Sequence, residues 1–200
     1  MPKIVDHDAK RREIIQTVWR LIANEGVAAV TSRRIAKEFG NANGMLLYYF
    51  RNKEEMLTEA YRFVNDSTET RFERWSHLRG IAGLRAFVIE TLPLDETRLT
   101  EARIVVAFWQ QAQHRPPRAE IHRELMDRWW NRLAGFLNQA VADGEAPGHL
   151  DIEESADLFL TLITGSQAMA TLTPELATPE RQVAGLDAQI SYIRGAARDR

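Results

Sequence analysis

The chain has no cysteine in its 200 residues. That excludes disulfides, thiolate metal sites and a cysteine nucleophile, and it fits a reducing compartment. Long apolar runs are also missing. The longest stretches, Ile104–Trp109 and Leu158–Gly165, fall far short of the roughly 20 residues that span a bilayer. The opening Met-Pro-Lys-Ile-Val-Asp-His-Asp lacks the apolar core of a signal peptide. The expected setting is therefore the cytoplasm, with no membrane partner. There is no large charge of one sign: 26 Lys/Arg face 28 Asp/Glu, a net of −2. Strand-like alternation, internal repeats and low-complexity tracts are absent. So are a nucleophile elbow, a phosphate loop and a zinc motif. The five histidines (His7, His77, His114, His122, His149) are scattered, and none pairs at ligand spacing on a helix face. His122 reads as part of a solvated face. Neither catalysis nor a metal or cofactor is expected.

What is present starts with an uneven charge distribution. Residues 1–55 hold ten Lys/Arg against seven Asp/Glu, a balance of +3, and residues 56–200 hold 16 against 21, a balance of −5. A mildly basic head on an acidic body fits a DNA-binding end. The apolar period is helical throughout, so the fold class is all-α.

The stretch Thr31–Lys53 organises the head. Thr31 can cap a short helix over Ser32–Phe39. Gly40 suits a turn, and a second short helix is expected over Ala42–Tyr48. Two short helices around a Gly-bearing turn form the helix-turn-helix pattern, whose second helix can enter the major groove. A preceding helix over His7–Glu25 completes a three-helix unit with a core of Ile14, Val18, Ile22, Val30, Ile35, Phe39, Leu46 and Phe50. A packing-only helical hairpin is the competing reading.

Asn52 with Glu55 then forms a capping box that opens a long linking helix, expected to reach about His77. Further helices are expected over Gly80 to Pro93, Glu96–His114, Arg118–Asp143, Asp151–Thr171 and Pro179–Gly195, with Pro116-Pro117 as a stop. The chain divides at residues 1–52 and 53–200. Asp151–Thr171 is apolar on two faces, and one carries Leu158, Leu162, Gly165, Met169 and Leu172. With Leu186, Ile190 and Ile193 as a second stripe, these helices form either a two-fold four-helix interface or central core.

Phe108, Trp109, Trp129, Trp130, Phe136 and Phe159 lie on helices of the body. They are either core or the wall of a cavity. A cavity of this make-up suits a cationic, amine-bearing ligand, with Gln110, Gln113, Thr161 and Gln167 as polar groups.

Thr31…Ile35-Ala36…Gly40…Gly44…Leu46…Tyr49-Phe50…Lys53 resembles the DNA-binding domain of TetR-family transcriptional regulators. Phe108-Trp109…Pro116…Arg128-Trp129…Leu133…Asp143-Gly144…Asp151…Gly165 and Thr178-Pro179-Glu180 look like the sensing domain of the subgroup that includes the choline-responsive repressor BetI. The resemblance implies an Ω-shaped homodimer of about nine helices per subunit, reading a palindromic double-stranded DNA operator and released by a small-molecule effector. An activator or an effector-independent regulator would share the same residues. Matched by position, Thr31, Ser32 and Arg33 start the second helix near phosphate. Asn43, Gly44, Met45 and Tyr48 follow the groove-facing helix, and Tyr49 and Lys53 hold the backbone. The chain departs from the family at Asn41-Ala42, where Val-Ser is usual, and at Leu47, where Tyr is common. Asn41 or Asn43 can replace one lost contact, because Asn can read adenine with two bonds.

Overall fold

The structure is a computed structural model; it describes residues 7–39 and 48–195, with Phe39 by its backbone alone. Among the described residues there are eight α-helices and no strand. They are α1 (His7–Glu25), α2 (Ser32–Phe39), α3 (Lys53–Glu73), α4 (Gly80–Thr91), α5 (Glu96–Ala112), α6 (Pro116–Ala142), α7 (Ile152–Leu172) and α8 (Pro179–Gly195). The helix expected over Ala42–Tyr48 lies outside the described residues apart from Tyr48, as do Gly40, Asn41, Asn43, Gly44, Met45, Leu46 and Leu47.

Local chemistry sets the helix ends. Gly26 closes α1 at φ +81°, a left-handed value that a side chain would strain. Thr31 accepts the Arg34 N–H at 3.1 Å and caps α2. Asn52 accepts the Glu55 N–H at 2.8 Å and caps α3. The expected capping box is altered, because Glu55 reaches one residue further and accepts the Arg51 N–H at 2.8 Å. Asp95 and Asp151 cap α5 and α7 through the N–H groups of Arg98 and Glu154.

Several boundaries shift by a residue or more, and two of the shifts have a clear physical cause. Pro116 and Pro117 lie inside the first turn of α6. First-turn N–H groups have no helical partner, so proline loses nothing there and its fixed φ favours the helix. The linking helix α3 stops at Glu73, short of His77. Beyond it Trp75 leaves the helical path and donates its indole N–H to Glu90 at 3.0 Å.

The core runs unbroken from head to body. Ile14, Val18, Ile22, Val30 and Ile35 are fully buried in the head, with Phe50 beside them. α1 packs on both α3 and α5, and α7 lies against α5 and α6. α4 and α6 come unusually close: a Cβ at Gly83 would stand 2.5 Å from Cε1 of Phe136.

The helix α7 is two-faced as expected. Ala156, Phe159 and Ile163 point inward, whereas Leu158, Met169 and Leu172 are exposed, Leu172 at 73%. Leu162 is half-buried and Gly165 exposed. The stripe on α8 corrects the expectation. Leu186, Ile190 and Ile193 are buried in this chain's own core, because α8 packs across α4. They have no apolar surface left for a second copy.

Candidate functional site

At the head, the first turn of α2 sorts its basic residues. Arg34 pairs with Glu38 at 2.7 Å and with Glu25. These two carboxylates hold its guanidinium firmly charged, and the Arg34 hydrogen bond holds Glu25 below the usual carboxylate range. Arg33 is exposed, and neither it nor Lys53 has a carboxylate partner among the described residues. The Thr31 hydroxyl is engaged by the α2 cap, and Ser32 is half-buried.

Tyr48 and Tyr49 diverge. Tyr48 is 73% exposed, while Tyr49 is buried at 7%. The Tyr49 ring packs 4.8 Å from the His7 ring and 5.1 Å from that of Tyr48. Its carbonyl accepts from Arg11, which also lies 4.3 Å over the Phe50 ring and 3.5 Å from Glu55. Tyr49, expected on the DNA backbone, is thus mainly a packing residue, and Tyr48 is the open aromatic. The head offers unpaired cations, an exposed phenol and a helix start, a set suited to phosphate contact.

In the body the expected aromatic group does not form one box. Phe108 stacks flat on Tyr61 at 4.0 Å. Trp129 meets the edge of Phe87 at 5.8 Å, and Phe159 is fully buried in the core. Trp130 donates to Asp157 at 2.8 Å on the outer side. Gln167 is buried with its amide 3.4 Å from the Thr91 carbonyl, and Gln113 is exposed at the end of α5. Aromatic density here is mostly core packing, the simpler of the two readings.

Trp109 is the exception. It is half-buried, with an indole N–H that is enclosed and has no partner among the described residues. Its ring is 5.8 Å from His122, and His122 Nδ1 is 2.9 Å from the Tyr61 hydroxyl. His122 therefore belongs to a packed polar corner and not to a solvated face. Burial alone lowers its pKa and favours the neutral ring, and burial raises that of Tyr61. A cleft of about 290 Å³ opens beside this corner between α3 and α6, lined by Tyr61, Asn65, Asp66, Glu124 and Arg128 among others. Tyr61 was not singled out in the sequence. His122 does stand in the α6 stripe with Leu125 and Trp129, which was its available signal.

A second polar cluster had no sequence signal, because three helices build it. Arg71 of α3 donates twice to Glu101 of α5, at 2.8 and 2.7 Å, and to Glu90 of α4 through its carboxylate at 3.2 Å and its backbone carbonyl at 3.3 Å. Burial raises the Glu101 pKa against the pull of Arg71. Next to it a cleft of about 520 Å³ lies between α1, α3 and α5. A groove of about 440 Å³ runs beside the exposed face of α7 and along α8. No group of three or more metal-ligating side chains occurs among the described residues, and no helix there is long and apolar enough to cross a membrane.

Comparison with known proteins gives this geometry its family. Residues 14–60 match the model of the TetR family of bacterial regulatory proteins, and residues 81–194 match that of the C-terminal domain of BetI-type transcriptional repressors. The transcriptional regulator PksA of Bacillus subtilis is 25% identical over 183 residues, 90% of this chain and 88% of its own. BetI 1 of Chromohalobacter salexigens is 26% identical over 184 residues, 88% of this chain and 85% of its own. Among solved structures, a transcriptional regulator from a Rhodococcus species is 29% identical with a TM-score of 0.76, covering 92% of this chain and 95% of that one. Another, from Saccharomonospora viridis in complex with choline, is 24% identical with a TM-score of 0.84, covering 92% and 96%. These relatives are transcriptional regulators and not enzymes. The chain belongs to the TetR family, as a transcriptional regulator whose body is of the BetI type.

Proposed function

We propose that the protein is a homodimeric, ligand-responsive repressor of the cytoplasm that binds a palindromic operator and is released by a small-molecule effector. The division of labour falls near residue 52, with reading ahead of it and sensing and pairing behind. The observation that carries the reading is the selective release of cations at the head. Arg34 is neutralised by Glu25 and Glu38, while Arg33 and Lys53 have no carboxylate partner among the described residues and Tyr48 is exposed. Thr31, Ser32, Arg33, Tyr48 and Lys53 form the proposed contact set, completed by Asn41, Asn43, Gly44 and Met45.

A palindrome needs two heads about 34–36 Å apart, one helical turn of DNA. The exposed Leu158, Leu162, Gly165, Met169 and Leu172 face of α7 supports pairing there. A two-fold axis through that face would bury the groove it borders. For release, an effector must bind one body shape better than another. A difference of about 1–3 kcal/mol is enough for a useful switch. The choline complex of the Saccharomonospora structure makes choline and related amines the first ligands to test. Trp109 is the one member of the expected aromatic set that keeps both an enclosed free N–H and an accessible ring.

Selection of bound sequences from random duplex DNA tests the reading, repeated with choline and other amines present. The expected result is an inverted repeat with half-sites one turn apart. Failure to enrich any sequence overturns DNA recognition. Enrichment that no ligand alters removes the release step.

A further inference from the structure

The cleft between α1, α3 and α5 has the features of a ligand site, and it lies away from the Trp109 corner. Each helix presents one stripe to it: Gln16, Trp19 and Arg20 from α1; Phe63, Ser67 and Arg71 from α3; Thr97 and Glu101 from α5. Its volume of about 520 Å³ lies in the range of small-molecule pockets. Trp19 and Phe63 supply the apolar walls. Gln16, Ser67 and Thr97 supply polar groups whose side chains have no hydrogen-bond partner among the described residues.

The charges at the cleft decide the ligand's sign. Arg71 and Glu101 neutralise each other through a two-point contact, and the remaining Arg71 donors go to Glu90 and Thr68. That leaves Arg20. Its guanidinium donates only to the Thr17 hydroxyl, at 3.0 Å, and has no carboxylate partner among the described residues. The one uncompensated charge lining the cleft is therefore positive. A guanidinium with free donors suits a carboxylate, which it can hold by two parallel bonds. Flat apolar walls suit a ring.

We propose that this cleft binds an aryl carboxylate, with the carboxylate on Arg20, the ring between Trp19 and Phe63, and any ring hydroxyl on Ser67 or Thr97. Such a ligand bridges the first helix of the head, the linking helix and the body. It fixes one angle between head and body, which makes it a regulator of DNA binding. That regulatory consequence rests on the operator reading above; the binding itself does not.

The test is calorimetric titration of the full-length protein with benzoate, phenylacetate and 2-naphthoate, against benzylamine and 2-naphthylmethylamine as matched cations and choline as the other candidate. The carboxylates are expected to bind, the matched amines to bind at least ten-fold more weakly. Arg20→Gln should weaken carboxylate binding by ten-fold or more with the melting temperature unchanged, since Arg20 is exposed. Ser67→Phe, which fills the cleft from the linking helix, should block it without touching the charge. Carboxylates that bind no better than their amines overturn the proposal, as does equal binding by both variants. In the second arm, saturating 2-naphthoate should change affinity for the selected operator by about five-fold or more. Binding with unchanged operator affinity overturns the regulatory role alone. A protein that enriches no operator fails the functional reading, and the calorimetry still decides the site.

Discussion

Arg71→Met is a sharp test of how the body is held together. Arg71 is the shared donor for two buried carboxylates, each with only 8% of its side chain exposed. Methionine keeps the length of the stem and removes the charge. Glu90 then retains the Trp75 indole at 3.0 Å and Arg74 at 3.7 Å. Glu101 loses both donors to its carboxylate. Breaking one partner out of a buried pair costs about 3–5 kcal/mol, and the help left to Glu90 places this case near 3. For a chain of this size that is a fall of roughly 6–12 °C in melting temperature. The loss must also depend on pH. Burial already raises the Glu101 pKa, and Arg71 opposes that rise. Without Arg71 the folded pKa climbs further above the unfolded one. The folded state then binds more protons than the unfolded state between those two values, so stability falls as pH rises through that window. The deficit is full above the folded pKa and fades towards the unfolded one. Urea unfolding followed by far-ultraviolet circular dichroism, at about pH 5 and about pH 8 and one protein concentration, measures it. Arg71→Met/Glu101→Gln should recover at least half of the loss at about pH 8, because no charge is then left uncompensated. A single variant equally destabilised at both pH values would refute the reasoning. So would a double variant no better than the single.

Arg33→Ala and Lys53→Ala should each weaken operator binding across sequences and reduce the salt slope by about 0.9 in fluorescence anisotropy, whereas Arg34→Ala, whose cation already has two partners, should leave the slope unchanged. Leu158→Glu/Leu172→Glu should convert a dimer to a monomer in light scattering, and an unchanged mass would reject α7 as the interface. Gly83→Ala should cost about 1–3 kcal/mol in chemical unfolding, because its Cβ would enter the Phe136 ring, and adding Phe136→Leu should return part of it.

Most of the helices were legible because periodicity and end chemistry agree. His7–Glu25, Ser32–Phe39 and the caps Thr31 and Asn52 stand where the sequence places them. Periodicity tells which residues share a face and not what that face meets. Leu186, Ile190 and Ile193 satisfy an interface stripe and a core stripe equally well, and only α4 lying beneath them decides the matter. The aromatics failed in the same way. Phe108 and Trp129 pack on Tyr61 and Phe87 of other helices and Phe159 is fully buried, so they wall no common cavity. The bonds Tyr61–His122, Arg71–Glu90 and Arg71–Glu101 join residues 19 or more positions apart in sequence, with no spacing rule to reveal them. Pro116-Pro117 reads as a stop or a start, and the choice depends on which N–H groups are already orphaned.

The helix α3 is restrained very differently at its two ends. Near Arg71 it is fixed by enclosed charges that are costly to part. Near Asn52 the buried Met56, Leu57 and Ala60 anchor it, and its ion pairs are lighter: Glu54, partly exposed, has Arg118 at 3.3 Å and Arg115 at 3.8 Å. Solvent-facing pairs of that kind contribute only about 0–1 kcal/mol each. The ion pairs thus differ along the helix, enclosed at one end and solvent-facing at the other, while its apolar face is buried at both. At about 1.5 Å per residue, Asn52 lies about 28 Å from Arg71, so a tilt of roughly 5° carries it about 2.5 Å. Because Glu55 also grips the Arg51 N–H, the backbone just ahead of the helix travels with it and does not lag behind. A small tilt about Arg71 would therefore arrive at Asn52 magnified.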